Sequence, residues 1–158
     1  MRKSLATGFS FGLTSGIITT LGIMVGLHSG TGSKMVVVGG ILTVAVADAF
    51  SDALGIHISE EAQGSYLGQQ IWLATLATFF TKLFFALTFV VPVLILDLLP
   101  AIVVSVFWGL LVLFLFSFWL GKKRRADPLK VALEHLVIAL VVIVITHFVG
   151  DWIALTFS

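Results

Sequence analysis

Five apolar stretches of about 20 residues or more dominate this chain of 158 residues. A helix rises about 1.5 Å per residue, so about 20 apolar residues cross the roughly 30 Å hydrocarbon core of a bilayer. Only 11% of the residues are charged, which excludes an ordinary soluble domain. We predict one all-α transmembrane domain over 1–158, with helices at about 6–28, 35–58, 70–96, 101–120 and 130–153.

The basic residues predict the orientation of these helices. Counting Lys and Arg on alternate sides places seven with the amino terminus and only Lys34 opposite. The seven are Arg2, Lys3, Lys122, Lys123, Arg124, Arg125 and Lys130. Because basic residues accumulate in cytoplasmic loops, we expect the amino terminus inside and, after five spans, the carboxyl terminus outside. The first apolar run is of spanning length, so we expect it to be retained rather than cleaved as a signal peptide.

Small residues lie along one face of helix 1. At 100° per residue they all fall within about 60° of Ser15. They are Gly8, Gly12, Ser15, Thr19, Gly22, Gly26 and Gly30. Such a face lets helix backbones approach closely in lipid, which predicts a helix–helix or dimer contact. The alternative is a narrow pathway lined by Ser15 and Thr19.

Helix 2 places two carboxylates deep in the predicted membrane core. Asp48 and Asp52 are four residues apart and share a face with Ser51. Measured from Val36, they lie about 18 Å and about 24 Å into a core of about 30 Å. Ionised carboxylates are costly in hydrocarbon, and two like charges repel, so at least one must be protonated, paired with a cation or bound to a metal. We therefore predict a functional site here.

Lys82 in helix 3 lies at a matching depth. It is 15 residues from Asp97, which places it about 22 Å from the outer surface. It could form a structural salt bridge with Asp48 and Asp52. Alternatively, its long side chain could extend to the inner interface. The sequence leaves both positions open.

Three further charged groups are weaker candidates. His147 and Asp151 are four residues apart, a spacing that suits a divalent ion, a proton-exchanging pair or simply a solvated pair. Glu60 and Glu61 follow helix 2 on the inner side, where they would balance charge or collect cations from the cytosol. The basic run 122–125 is interpreted as a topology signal and an anchor for anionic lipids.

The usual catalytic motifs are missing from the sequence. It contains no HExxH, phosphate loop, GxSxG or cysteine nucleophile, so we predict that the protein is not an enzyme. A net charge of +1 gives no argument for nucleic-acid binding. We expect protons, a metal ion and membrane lipids as partners, and no prosthetic group.

Two segments resemble prokaryotic vacuolar-iron-transporter-like proteins. Segment 46–59, VADAFSDALGIHIS, is similar to that family's helix-2 signature VADALSMALGEYLS, and segment 12–20, GLTSGIITT, to its GLSDGLTT segment. Segments 89–94 and 139–150 resemble its third and fifth helices. The resemblance implies a homodimer in a prokaryotic cell membrane whose helices 1 and 2 line a central path. Such a protein exports Fe²⁺ or Mn²⁺ from the cytosol in exchange for protons.

Three departures from the family pattern bear on the metal. The family's helix-1 aspartate corresponds to Ser15 here. Its helix-2 methionine is replaced by Asp52, and its helix-2 glutamate by Ile56. The glutamate-rich cytosolic module that many relatives carry between helices 2 and 3 is also absent. Oxygen ligands favour Mn²⁺, Fe²⁺ or Mg²⁺ over soft ions. One interpretation is that the lost helix-1 charge has moved to helix 2, and the alternative is that the family's selectivity no longer applies.

These observations lead to one main prediction and one alternative. The main prediction is a proton-coupled transporter of divalent metal cations. In it Asp48 and Asp52 bind the metal, and Ser15, Thr19 and Ser51 line the path. The alternative is a membrane assembly protein without transport activity, in which Asp48, Asp52 and Lys82 form a structural network.

Overall fold

The computed structural model describes residues 2–64 and 68–157, which form helices joined by short turns. The helices are α1 (Arg2–Thr31), α2 (Lys34–Gln63), α3 (Gly68–Thr88), α4 (Val90–Ile95), α5 (Leu98–Lys123) and α6 (Pro128–Phe157). Within these ranges there is no strand, and five segments are long and apolar enough to cross a membrane. The all-helical class and the five spans are thereby confirmed. The direction of crossing stays a prediction.

Glycines in the left-handed conformation end two of the long helices. Gly32, with φ 59°, follows α1, and Gly64, with φ 60°, follows α2. Glycine adopts positive φ without steric cost, which makes it a common residue just past a helix end. The two helices end at Thr31 and Gln63, beyond the ends predicted at 28 and 58. Residues 65–67, between predicted helices 2 and 3, lie outside the described residues.

Predicted helix 3 is interrupted near its outer end. Gly68–Ile95 reads as one membrane span, but it divides at Phe89 into α3 and α4. Pro92 has no backbone N–H, and its ring clashes with the carbonyl of the residue four positions earlier, Thr88. The Phe89 N–H accordingly bonds to the Ala86 carbonyl at 3.2 Å, in a tighter turn. The apolar run predicted the span correctly but not this break.

The first of two compact units comprises residues 1–20 and 41–90. Here the amino-terminal half of α1 packs closely on α3. A Cβ on Gly12 would lie 2.6 Å from the Thr78 carbonyl oxygen, and one on Gly16 would lie 3.1 Å from the Lys82 carbonyl oxygen. An added Cβ would force a shift at Gly12 and would be unusually tight at Gly16, so these two glycines allow α1 to lie against the segment that carries Lys82.

The second unit comprises residues 21–40 and 91–158. Here α1 packs on α6, where a Cβ on Gly26 would lie 3.1 Å from the Thr146 carbonyl oxygen. Helix α5 contacts α6. Along α5, small residues, including glycines, are buried at intervals of four residues. They include Ala101, Ser105, Gly109, Ser117 and Gly121. The small-residue face of α1 is thus a helix–helix contact within the chain, to α3 in the first unit and to α6 in the second.

Candidate intramembrane ion site

Lys82 is the most deeply buried charged residue in the described part of the chain. Only 1% of it is exposed, although its side chain is among the longest in the protein. The absence of side chains at Gly12 and Gly16 on α1 allows this part of α3 to approach. An ammonium in such surroundings requires charged or polar partners, because its desolvation is costly.

Three oxygens from two other helices surround the Lys82 ammonium. Its Nζ donates to Ser15 Oγ at 2.8 Å and also to Asp52 Oδ2. It is ion-paired with Asp48 Oδ2 at 2.5 Å. The sequence left two positions open for Lys82. In the structure its side chain forms the ion pair and does not extend to the inner interface. Helices α1, α2 and α3 each contribute to this site, which we call the Lys82 cluster (Ser15, Asp48, Asp52 and Lys82).

Ser15 links the lysine to one of the aspartates. Its hydroxyl donates to Asp52 Oδ2 at 2.6 Å while accepting from Lys82. A serine hydroxyl has one proton and two lone pairs, so it can serve both neighbours at once. A second carboxylate at this position could not donate this bond. Ser15 therefore fits a site whose negative charge resides entirely on α2.

The two aspartates are held differently. Asp52 Oδ2 accepts from both Ser15 and Lys82. Asp48 Oδ2 is buried and ion-paired, but it has no aligned hydrogen bond among the described residues. The side chains are 28% exposed for Asp48 and 20% for Asp52, against 2% for Lys82. The cluster therefore has two carboxylates for one ammonium and is partly exposed on its carboxylate side, and Asp48 is the less constrained ligand.

The other predicted path-lining residues lie beside the cluster rather than in it. Thr19 is half-buried on α1, one turn beyond Ser15. Ser51 is exposed on α2 and precedes Asp52 directly. Neither the Thr19 nor the Ser51 hydroxyl is among the described contacts of Lys82.

Glu60 and Glu61 have very different surroundings. Glu61 is exposed, with its Oε1 3.6 Å from His57 Nε2. Glu60 is only 6% exposed, and its buried Oε2 has no hydrogen-bond partner within the described residues. His57 is fixed by Thr75, whose Oγ1 lies 2.9 Å from His57 Nδ1 and donates to the Ile71 carbonyl. Of the two glutamates, only Glu61 is placed to meet ions from solution.

The predicted His147 and Asp151 pair lies on α6. His147 Nε2 is 3.5 Å from Asp151 Oδ2, and the two side chains are 51% and 44% exposed. Ser29 on α1 joins them by bonding to Asp151 Oδ1 and to the His147 carbonyl, at 2.9 Å for the latter. The pair thus fastens α1 to α6 within the second unit, and it lies outside the Lys82 cluster.

Sequence reasoning placed Ser51, Gly55 and Ser59 on the aspartate face of helix 2 but missed that they belong to a longer exposed row of small residues on α2. Its members are spaced four apart and are all exposed: Thr43, Ala47, Ser51, Gly55 and Ser59. We call them the α2 stripe. A Cβ on Gly55 would have nothing within 4 Å. On the helical wheel Gly55 lies within about 60° of both Asp48 and Asp52. The regular spacing could have revealed the stripe, but the glycines of helix 1 gave a stronger signal.

The Lys82 cluster is not a complete metal site within one chain. Among the described residues, no group of three or more His, Asp or Glu side chains could hold a metal ion together. Two carboxylates and one hydroxyl are the oxygens the cluster offers, so a bound ion would need water or a second chain to complete its coordination.

Comparisons of this chain with family models, with curated proteins and with solved structures find no match. The resemblance to vacuolar iron transporters therefore stays a prediction.

Proposed function

We propose that this protein is a proton-coupled transporter of divalent metal cations, with the Lys82 cluster as its ion site. Asp48 and Asp52 bind the ion, and Ser15 is a secondary oxygen ligand. Hard oxygen ligands favour Fe²⁺ or Mn²⁺ over soft ions. With the amino terminus inside, transport runs out of the cytosol of a prokaryotic cell, and protons move in the opposite direction.

The observation that carries this proposal is the contrast in burial within the cluster. Lys82 is buried, whereas both aspartates are partly exposed on α2. A purely structural ion pair is expected to be enclosed on all sides, because open access to water or ions weakens it. Charged side chains at this depth in a membrane are costly and commonly mark an ion path.

Lys82 acts in this proposal as an internal substitute for the transported cation. Its ammonium occupies the space between the two carboxylates. A divalent ion cannot share that space, so the ammonium must leave it when the ion binds. Competition between the two cations leaves the carboxylates partly compensated when no metal is bound, and it prevents the ion from being held too tightly to leave.

A homodimer contacting through the α2 stripe fits this site. Small residues at every fourth position allow close helix approach in lipid. The stripe is exposed among the described residues, and Gly55 lies beside both aspartates on the wheel. A second copy docked there would bring a second pair of carboxylates near the first and supply the ligands that one chain lacks.

The proposal is tested by metal and proton flux in liposomes. Purified protein is reconstituted with a proton-sensitive dye inside, and Mn²⁺ or Fe²⁺ is added outside. We expect metal uptake with opposite proton movement, and loss of both in Asp48→Asn with Asp52→Asn.

A matched control is Asp97→Asn. Asp97 is exposed at the start of α5 and makes no side-chain capping bond, so its neutralisation tests only the loss of one carboxylate. This variant should transport normally. Undiminished flux in the double variant at the cluster would contradict the site assignment.

The structural alternative has one observation in its favour. Lys82 pairs with both aspartates at once, so the one ammonium compensates part of the carboxylate charge in the cluster. If that is its whole role, removing all three charges together should preserve the fold and change no flux. The two functions therefore make opposite predictions for the same triple variant.

A further inference from the structure

The turn between α5 and α6 concentrates positive charge. Residues 122–134 contain five basic and two acidic side chains. The basic ones are Lys122, Lys123, Arg124, Arg125 and Lys130, all of them exposed. None of these five forms an ion pair in the described part of the chain. Asp127 is engaged elsewhere, since its Oδ1 accepts from the backbone N–H groups of Leu129 and Lys130 at 3.0 and 3.2 Å.

Two of the lysines are held against aromatic rings. Lys122 Nζ lies 4.9 Å from the centre of the Phe118 ring, and Lys123 Nζ lies 4.8 Å from that of Trp119. Both rings belong to the preceding turn of α5, at the end of its apolar span. Cation–π contacts therefore keep the two ammonium groups at the level where tryptophan and lipid headgroups meet, instead of letting them extend into water.

The backbone of the turn is closed by a specific hydrogen-bond pattern. The Arg125 N–H bonds to the Lys122 carbonyl at 3.2 Å, and the Ala126 N–H to the Gly121 carbonyl at 3.1 Å. This is the Schellman pattern, in which the residue in the left-handed conformation is usually glycine. Here that residue is Arg125, with φ 57°. A charged side chain therefore occupies a position where glycine would be conformationally preferred.

We propose that this turn is a binding site for the phosphate groups of anionic membrane lipids. Unpaired positive charge, lysines fixed at headgroup level and an arginine kept in an unfavourable conformation all favour a negatively charged partner. Basic residues next to a membrane span attract anionic lipids. The partner is thus a lipid headgroup rather than a soluble anion, because the two ring-bound lysines lie beside the apolar span.

The test compares lipid retention by the purified full-length protein. The protein is exchanged into mixed micelles containing equal phosphatidylglycerol and phosphatidylcholine, and the retained lipid is counted by native mass spectrometry. We expect wild type to prefer phosphatidylglycerol. The preference should disappear when Lys122, Lys123, Arg124 and Arg125 are all changed to Gln, and it should persist when Lys122 and Lys123 are changed to Arg. Inorganic phosphate at the same concentration should not displace the lipid.

Arg125→Gly separates charge from folding. It supplies the residue that the turn prefers, so thermal stability in lipid-free detergent should equal or exceed that of wild type. The preference for phosphatidylglycerol should still fall, by about fivefold for one charge. Equal retention of both lipids by wild type, an unchanged preference in the quadruple or glycine variant, or displacement by inorganic phosphate would each overturn the proposal.

Discussion

At the scale of single residues, the Lys82 cluster depends on its internal charge balance. One ammonium faces two carboxylates, and Ser15 connects it to Asp52. Breaking a buried ion pair by removing one partner is far more costly than removing both, because the remaining charge is left without compensation. The stability of the protein should therefore respond more to an unbalanced substitution than to a balanced one.

Lys82→Met keeps the length of the side chain and removes its charge. It leaves Asp48 and Asp52 facing each other without a cation, and we expect the free energy of unfolding to fall by about 3 kcal/mol or more. Unfolding in a detergent titration measures this loss. Lys130→Met, at an exposed position, is the control and should change little. If Lys82→Met is as stable as wild type, the cluster does not stabilise the fold.

The position of Lys82 also marks the limit of sequence reasoning. Helical rise predicted that Lys82 and the two aspartates lie at similar depth, but it left open whether they pair. Depth does not determine which faces of two helices meet. In the structure, Gly12 and Gly16 of α1 contact the backbone of α3, and these contacts determine which faces meet. The sequence does not indicate which helix those glycines contact.

At the scale of helices, α1 packs closely on its neighbours because its glycines lie directly against the backbones of other helices. The Thr78 carbonyl oxygen stands where the Gly12 side chain would be. The apolar runs predicted where helices occur, because length and hydrophobicity are sufficient for that. The partners of each helix and the interruption at Phe89 depend on packing and on Pro92, which a continuous apolar run conceals.

Gly12→Ala should therefore destabilise the protein by roughly 1–3 kcal/mol, since a methyl group must displace the α3 backbone. Gly39→Ala is the matched control. Gly39 lies in the interior of α2 with nothing within 4 Å of an added Cβ, so this change should be neutral or slightly stabilising. Detergent unfolding of both variants checks the prediction. Equal stabilities would contradict close α1–α3 packing at Gly12.

At the scale of the whole molecule, the α2 stripe is the surface that a second copy would cover. It is exposed along five positions, and it flanks the partly exposed aspartates. In lipid, apolar exposure alone does not drive association, so the small size of the side chains is the relevant feature. A dimer through this surface would place two Lys82 clusters near a common path.

Ala47→Leu with Gly55→Leu should separate that dimer, because two large side chains would hold the helices apart. Its oligomeric state in mild detergent, measured by light scattering coupled to size-exclusion chromatography, should change from dimer to monomer. Val144→Trp, on the exposed face of α6, adds similar bulk elsewhere and should leave the dimer intact. A dimer that survives both stripe substitutions must contact through another surface.

The most direct test of the ion site is flux through a variant with no charge in the cluster: Asp48→Asn, Asp52→Asn and Lys82→Met together. Because the ammonium and both carboxylates are removed together, no buried charge is left without a partner, and the melting temperature should stay close to that of wild type. We predict that Mn²⁺-driven proton movement in liposomes falls to the level of protein-free liposomes. Wild-type flux in this folded variant would contradict the ion site and support a structural role for the cluster.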